Sequence, residues 1–237
     1  ITCRDWSSDV CSSDLNEGKA ENVGGVWKIS PQNNSWMARS IAAAAANPFA
    51  VGDAHYRFTE KAAYVDTVPY GSYKRDLFDK IGFFDESLLA NEDYEFNTRI
   101  RQSGGRIWLD PAIQCTYFAR ASFWALAKQY WGYGFWKAQM LKRYPETLRW
   151  RQALPPVFVL GVILLVLVGF FWHPAWLVLA VIFGLYLIIQ LIPAIQISLK
   201  DGNILVSLGV VLATLVMHFS WGTALIVGLF SKPDRKK

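Results

Sequence analysis

One stretch of eighty residues, from 151 to 230, limits what this chain can be more than any other feature of its sequence. Its only formally charged side chains are Arg151, Lys200 and Asp201. Over the whole chain 18% of the residues are charged and 53% are hydrophobic, whereas ordinary soluble domains are roughly 25% charged. A single soluble globular domain, a disordered chain and a collagen-like chain are therefore excluded. The sequence predicts a soluble part followed by a membrane-bound part.

Three apolar segments, 153–172, 175–199 and 203–230, make up most of this stretch. Because about 20 helical residues cross the core of a bilayer, each segment is long enough to span it. His218 interrupts the third segment. We expect three spans over residues 151–231, and the alternatives for the third segment are that it re-enters the membrane or lies flat on it.

Basic residues set the expected orientation. Arg143, Arg149 and Arg151 flank the first apolar segment and place the preceding soluble part in the cytoplasm, because cytoplasmic flanks are rich in Lys and Arg. We therefore expect a multi-pass protein of the cell (inner) membrane. Three spans would put the basic tail, 232–237, on the opposite side, against the same rule. The net charge of +5 reflects this membrane orientation and does not indicate nucleic-acid binding.

Strands and helices alternate before the apolar stretch, which predicts an α/β domain over residues 16–120. The sequence contains neither a GxGxxG nor a GxxxxGK phosphate loop. Either this domain binds no nucleotide, or its nucleotide-binding half is missing. The predicted strands are 21–29, 62–69, 106–109 and 113–118, a Gly-containing loop covers 49–58, and the predicted helices are 36–46, 74–81 and 92–103.

The first fifteen residues, ITCRDWSSDVCSSDL, do not read as part of a folded domain. WSSDV is followed by the similar CSSDL, and the segment has neither apolar periodicity nor the apolar core of a signal peptide. The string WSSDVCSSDL resembles a translated sequencing-library adapter. We therefore expect residues 1–15 to be an artefact and the natural protein to begin further upstream.

Residues 121–150 combine aromatic and basic side chains immediately before the first apolar segment. Aromatic rings favour the headgroup level of a membrane, and Lys and Arg favour anionic lipid. This composition predicts an amphipathic helix that lies in the membrane interface. The alternative is a soluble helix packed on the sheet.

The most informative short run is NEDYEF, which starts at Asn91. Glu92 and Asp93 open a predicted helix capped by Asn91, and the dipole at a helix N-terminus favours ionised carboxylates. A carboxylate on such a rigid platform is able to act as a general base towards a hydroxyl. Acids in a first helical turn also commonly serve stability alone, so the surrounding motifs decide between the two interpretations.

Several motifs follow one another at set spacing around this acid pair. They are Gly71-Ser72, Lys74-Arg75, the run IGFFDE that starts at Ile81, Glu92-Asp93, Arg99, and Gly105-Arg106-Ile107. Their order resembles the C-terminal (acceptor) half of family-two glycosyltransferases of the GT-A fold, over about residues 21–144. The loop NPFAVGDAHYRF and the segment QYWGYGFWK are most similar to the membrane-bound glucosyltransferases of succinoglycan-type exopolysaccharide synthesis.

The resemblance implies an inverting transfer of a sugar, glucose in the nearest group, from a nucleotide-sugar donor such as UDP-glucose. Asp93 would be the general base that takes the proton of the acceptor hydroxyl, and Glu92 would support it. A divalent metal, Mg or Mn, would stabilise the departing diphosphate. The acceptor would be a polyprenyl-diphosphate-linked saccharide, held beside membrane lipids.

The sequence departs from the family at two points. The metal-binding Asp-x-Asp should precede residue 21, and nothing there matches, so we expect no metal ligands in this fragment and no activity from it alone. Processive synthases carry Gln-x-x-Arg-Trp, whereas Gln129 here is followed by Tyr130, Trp131, Gly132 and Tyr133. Addition of a single sugar is therefore favoured over processive polymerisation.

Other polar side chains are weaker candidates. A lipid diphosphate needs cations and hydrogen-bond donors close to the bilayer, which the segment 121–150 supplies. Arg99 is expected to pair with an acid or to approach the donor diphosphate, and His55 and Arg57 to serve either the loop or a phosphate. The candidates for the lipid diphosphate are Lys128, Gln129, Lys137 and Arg143.

Three functions compete at this point. The first is the membrane-anchored sugar transferase on a lipid-linked acceptor. The second is a non-catalytic membrane protein whose α/β domain binds a partner or supports an assembly. The third is a processive polysaccharide synthase. An upstream reading frame with an Asp-x-Asp would favour an enzyme.

Overall fold

The computed structural model describes residues 8–52 and 54–232, with only the backbone at residues 8, 9, 200 and 201. The chain divides into two compact units. Unit 1 contains residues up to 30 together with 53–118, and unit 2 contains 31–52 together with the chain from 119 onwards. Residues 1–7 of the expected artefact, and positions 233–237 of the basic tail, lie outside the described residues.

Four strands form one sheet of order β2-β4-β1-β3 in the described part of the chain. The strands are β1 (Asn22–Pro31), β2 (Ala63–Tyr64), β3 (Ser72–Tyr73) and β4 (Ile107–Ala119). The α-helices are α1 (Ser8–Asn16), α2 (Trp36–Ala45), α3 (Pro48–Val51), α4 (Arg75–Ile81), α5 (Glu92–Gln102), α6 (Phe123–Leu141), α7 (Trp150–Gly169), α8 (Pro174–Asp201) and α9 (Ile204–Phe230). Short 3-10 helices cover His55–Arg57 and Pro145–Thr147. The predicted mixed α/β fold followed by three apolar helices is confirmed.

Glycines let the backbones of unit 1 approach closely at β1. A methyl group at Gly25 would lie 1.9 Å from the carbonyl oxygen of Ile113 in β4, and one at Gly24 would lie 2.6 Å from the Val68 side chain. Both outer strands pair antiparallel, β3 with β1 and β2 with β4. The Gly-Gly pair at the start of the predicted first strand is therefore a requirement of close packing.

Two strands differ from their predicted bounds. The predicted strand 62–69 is reduced to β2, and the buried Thr67 beyond it accepts a hydrogen bond from Asn97 of α5. The predicted break at Asp110-Pro111 is absent, and β4 continues through it. The Asp110 carboxylate accepts a hydrogen bond from the amide of Ala112 at 2.8 Å, which satisfies that amide locally without ending the strand.

The core of unit 1 lies between the sheet and helices α4 and α5. Aromatic rings extend it, since Phe96 stacks on Phe84 at 4.5 Å between ring centroids and on Phe78 at 5.4 Å. Helix α1 packs separately, with Cys11 buried against neighbouring apolar residues. The expectation that residues 1–15 are foreign to the natural protein stays a prediction. The core residues are Val26, Val68, Leu77, Phe96, Ile100, Ile107 and Leu109.

Three helices of unit 2 are long and apolar enough to cross a membrane. They are α7, α8 over Pro174–Leu199, and α9. At 1.5 Å per residue, helices of 20 residues or more reach the thickness of a bilayer core, about 30 Å. These helices indicate a membrane-associated protein.

Residues 31–52 belong to unit 2, whereas the sequence placed them in a continuous α/β domain over 16–120. Helix α2, capped by Ser35 as predicted, packs against α9. The Ser40 hydroxyl lies 3.0 Å from the Val206 carbonyl oxygen, and a methyl group at Gly209 would lie 2.2 Å from that hydroxyl. The small side chains of α2 therefore fit an apolar helix, which explains why this segment leaves the α/β unit.

Helix α6, expected to lie in the membrane interface, packs along α9. A methyl group at Gly134 would lie 2.5 Å from the carbonyl oxygen of Trp221, and one at Gly228 would lie 2.7 Å from the Ala138 side chain. Such small residues allow close helix contact. Helix α6 also exposes Trp124 and Trp131.

Candidate functional site

The acid pair lies at the first turn of α5, where the sequence predicted it. Asn91 precedes the helix in the left-handed backbone region, with φ of 66°, and makes no side-chain capping bond to α5. Glu92 is exposed, whereas Asp93 is only partly exposed. The Asp93 carboxylate accepts a hydrogen bond from the backbone amide of Tyr94 at 2.7 Å. Within residues 8–52 and 54–232, no cation pairs with it.

The environment of Asp93 favours the protonated carboxyl. Burial, and then the nearby charge of Glu92, raise the pKa of Asp93 from 3.8 to about 6, and hydrogen bonds from backbone amides oppose this only partly. A carboxylate with a pKa near 6 is ionised at neutral pH and holds a proton more firmly than an ordinary Asp. These are the properties of an effective general base.

Two tyrosines, Tyr70 and Tyr73, interact electrostatically with Asp93. Burial and the charge of Asp93 raise the pKa of Tyr70 and of Tyr73. Tyr70 adopts the left-handed backbone region with φ of 51°, which is uncommon for a residue other than glycine and recurs at functional sites. The sequence showed only the Pro69-Tyr70-Gly71 turn and gave no signal that this turn faces α5.

A buried chain of amides fixes α5 against the sheet. The Asn22 side chain, on β1, donates to the Asn97 oxygen at 2.6 Å, and Asn97 donates to the Thr67 hydroxyl at 2.9 Å. Asn22 and Asn97 are fully buried. Because buried polar groups are costly to leave unsatisfied, these bonds specify one position for the helix that carries Asp93.

An aromatic cluster lies on β1 and β4 in the same unit. Trp27 and Tyr117 stack in parallel, with ring centroids 4.3 Å apart and planes 4° apart, and Tyr56 meets Trp27 edge-on. Arg57 places its guanidinium carbon 5.0 Å from the Trp27 ring centroid. Arg57, a candidate for contact with a phosphate, therefore lies over the ring of Trp27. His55 is exposed, with its ring 5.7 Å from that of Phe58.

Arg99 occupies a structural position within α5. Its guanidinium forms a two-point ion pair with the buried Glu95, at 2.7 and 2.9 Å, and also donates to the carbonyl oxygens of Ile81 and Phe83. The second of these bonds is 2.7 Å long. Of the two expectations for Arg99, this geometry supports pairing with an acid.

The four residues that the sequence suggests for binding a lipid diphosphate differ in their exposure. Lys128 and Arg143 are exposed, and Gln129 donates to the Tyr133 hydroxyl at 2.8 Å. Lys137 is only 1% exposed, and its ammonium donates to the carbonyl and hydroxyl oxygens of Thr147 at 3.1 and 3.2 Å. This placement does not fit the expected contact of Lys137 with a lipid diphosphate. The position of Lys137 in the sequence of α6 did not indicate that its side chain is buried.

Replacing Lys137 by Met should destabilise unit 2, whereas Lys128→Met should leave its stability unchanged. The first change removes hydrogen bonds from a buried charged donor, which contribute about 1.5–3 kcal/mol, and the second removes an exposed side chain. Thermal unfolding in detergent measures both. Equal melting temperatures for the two variants would contradict the structural role of Lys137.

The described part of the chain does not offer a site for a divalent metal. Among the described residues, no group of three or more His, Cys, Asp or Glu side chains is placed to hold a metal ion. Asp93 and Glu92 are adjacent but lack a third acid ligand. We therefore derive no step through a metal.

Two curated proteins are similar to parts of this chain. The succinoglycan biosynthesis protein ExoA of Rhizobium meliloti is 35% identical over 80 residues, which are 34% of this chain and 24% of that protein. A dolichyl N-acetyl-α-D-glucosaminyl phosphate 3-β-D-2,3-diacetamido-2,3-dideoxy-β-D-glucuronosyltransferase of Methanococcus voltae is 26% identical over 136 residues, which are 56% of this chain and 41% of that protein. The chain thus spans less than half the length of either relative.

These similarities support a glycosyltransferase role for the chain. The first relative belongs by its name to succinoglycan biosynthesis, and the second by its name transfers a glucuronosyl group. No family model matches the chain. No solved structure matches it either.

Proposed function

We propose that this chain is the acceptor half of an inverting, family-two glycosyltransferase of the GT-A fold. The observation that carries the proposal is Asp93, a carboxylate at the first turn of α5 whose pKa is raised to about 6 by burial and by Glu92. The similarity to two proteins of saccharide and glycolipid synthesis supports the same class.

In the proposed reaction, the Asp93 carboxylate accepts the proton of an acceptor hydroxyl. The hydroxyl oxygen forms a bond to the anomeric carbon of the donor sugar, and the bond from that carbon to the nucleoside diphosphate breaks. Attack from the side opposite the leaving group inverts the anomeric configuration. General-base catalysis of this kind contributes ~10²- to 10⁴-fold to the rate. Glu92 tunes Asp93 through its charge.

The donor and acceptor are proposed from chemistry and resemblance together. The donor is a nucleotide sugar, UDP-glucose in the nearest resemblance, and the same resemblance implies Mg or Mn for the full-length enzyme. The acceptor is a polyprenyl-diphosphate-linked saccharide, because apolar helices hold the protein at a membrane where such a tail resides. Lys128 and Arg143 remain the exposed cations proposed for its diphosphate. We place the α/β unit in the cytoplasm, where nucleotide sugars are made.

A transfer assay tests this function. The longest reading frame that contains this chain is expressed in membranes and supplied with radiolabelled nucleotide sugars and a polyprenyl-diphosphate-linked saccharide. We expect a labelled lipid larger by one sugar. A ladder of longer products would favour a processive synthase, and the absence of transfer from every donor would favour the non-catalytic membrane protein.

Glu92→Gln should move the acid limb of the pH-rate profile to lower pH. The charge of Glu92 raises the pKa of Asp93, so its removal lowers that pKa, and the base stays ionised below pH 6. The exposed Asp79 on α4 supplies the control, and Asp79→Asn should leave the limb in place. An acid limb that does not move in Glu92→Gln would show that Asp93 is not the titrating base.

A further inference from the structure

The third apolar helix differs from the other two in how the protein covers it. Within its most apolar stretch 39% of α9 is buried in the protein, against 17% for α7 and 11% for α8. At about 40 Å, 27 residues of helix are long enough to cross a bilayer. Whether α9 does so depends on where its two ends lie.

Helices α7 and α8 form an antiparallel hairpin. Near its closed end the Trp176 indole donates to the carbonyl oxygen of Gly169 at 2.9 Å, and further along Phe158 stacks on Tyr186 at 4.7 Å between centroids. The chain therefore returns along α8 to the side from which α7 starts. Helix α9 begins there, because only Gly202 separates α8 from Asn203, whose side chain caps α9 by accepting a hydrogen bond from the amide of Leu205.

The other end of α9 is attached to the beginning of α7. The Trp221 indole donates to the carbonyl oxygen of Gln152 at 3.3 Å, and a methyl group at Gly222 would lie 2.7 Å from the carbonyl oxygen of Pro155. Past these contacts, the Gln139 side chain of α6 donates to the Ser231 carbonyl oxygen at 3.1 Å. The beginning of α9 and its later part around Trp221 thus lie towards the open end of the hairpin, and just before Trp221 the ring of Phe219 lies 5.8 Å from that of Phe158 between centroids.

Helices α2, α3 and α6 accompany α9, and two of them carry charged side chains, Arg39 in α2 and Lys137 in α6. Near the beginning of α9, the Ser40 hydroxyl of α2 donates to the Val206 carbonyl oxygen. Further along α9, His218 Nε2 lies 3.1 Å from the Ala50 carbonyl oxygen of α3. Helix α6, which contains the buried Lys137, runs beside α9 as far as Ser231. Charged side chains in the hydrocarbon core are costly, so these companions fit the membrane surface better than its centre.

We propose that, of the described helices, only α7 and α8 cross the bilayer, and that α9 lies along the membrane surface on the side where α7 starts. Its uncovered stripe is apolar and is formed by Leu205, Leu208 and Leu212, all more than 40% exposed, which face the lipid. The protein thus returns its basic C-terminal tail to the side of Arg143 and Arg149. All flanking Lys and Arg then obey the positive-inside rule.

Reporter fusions to the full chain test this topology, independently of any transferase activity. Green fluorescent protein fluoresces only in the cytoplasm, and alkaline phosphatase is active only outside it. Each is fused after Lys237 in one series and inserted between Trp172 and His173 in a second series. A third series carries each reporter between Gly104 and Gly105, to mark the side of the α/β unit.

We expect fluorescence without phosphatase activity after Lys237 and at Gly104, and phosphatase activity without fluorescence at Trp172. Phosphatase activity after Lys237 would overturn the proposal, because α9 would then cross. Fluorescence at Trp172 would overturn it too, because the hairpin would then not cross. A short C-terminal epitope, expected to resist protease added to spheroplasts and to be cleaved after lysis, repeats the test without a folded reporter.

Discussion

Asp93→Asn should lower the rate of sugar transfer by ~10²- to 10⁴-fold, because the amide cannot accept the proton of the acceptor hydroxyl. The rate is measured on the longest reading frame that contains this chain. The same change should stabilise the protein at neutral pH. The pKa of Asp93 rises from 3.8 to about 6 on folding, so the native stability falls as the pH rises from about 4 to about 6, and the full penalty remains above that. Two pKa units correspond to about 3 kcal/mol, which is the largest gain expected.

Transfer kinetics and thermal unfolding at pH 4 and pH 7 measure both effects. The gain in melting temperature should appear at pH 7 and vanish at pH 4, where Asp93 itself is largely protonated. Asp79→Asn, an exposed change on α4, is the matched control and should alter neither quantity. A variant that retains wild-type turnover would remove Asp93 from the mechanism, even if its stability changed as expected.

Arg99→Met should destabilise unit 1 by about 3–5 kcal/mol. It leaves the Glu95 carboxylate, which is 1% exposed, without its partner, and uncompensated buried charges are costly. It also removes the donors that hold the carbonyl oxygens of Ile81 and Phe83. Denaturant unfolding followed by tryptophan fluorescence measures the loss.

Lys80→Met provides the contrast for this prediction. Lys80 pairs with Asp76 at the same helical spacing, at 2.9 Å, but both side chains are largely exposed. Exposed pairs contribute little, so no measurable change is expected. If Arg99→Met lowered the stability of the protein no more than Lys80→Met but sharply lowered sugar transfer, Arg99 would be assigned to the donor diphosphate instead.

Local signals predicted the bounds of α2, α4 and α5 closely. Ser35 caps α2, and Gly82 and Gly104 follow the ends of α4 and α5, because caps and glycine stops act within a few residues. The extent of β2 was not predicted, because its pairing partner β4 lies far along the chain and no local pattern records the register.

The candidate site was predicted only where its residues are adjacent in sequence. Glu92 and Asp93 form one motif, whereas Trp27, Tyr70 and Tyr117 come together through strand pairing and a strained turn. The pairing of Arg99 with Glu95 follows helical spacing and was within reach of the sequence. The burial of Lys137 was not, because it depends on how α6 packs.

The assignment of residues 31–52 to unit 2 has a practical consequence for any attempt to isolate unit 1. The polypeptide passes from one unit to the other near residues 30, 52 and 118, so no single cut separates them. A fragment that stops at Phe118 would carry an alanine-rich helix stripped of its apolar partner, and we expect it to aggregate. A water-soluble version should instead replace 31–52 by a short flexible bridge.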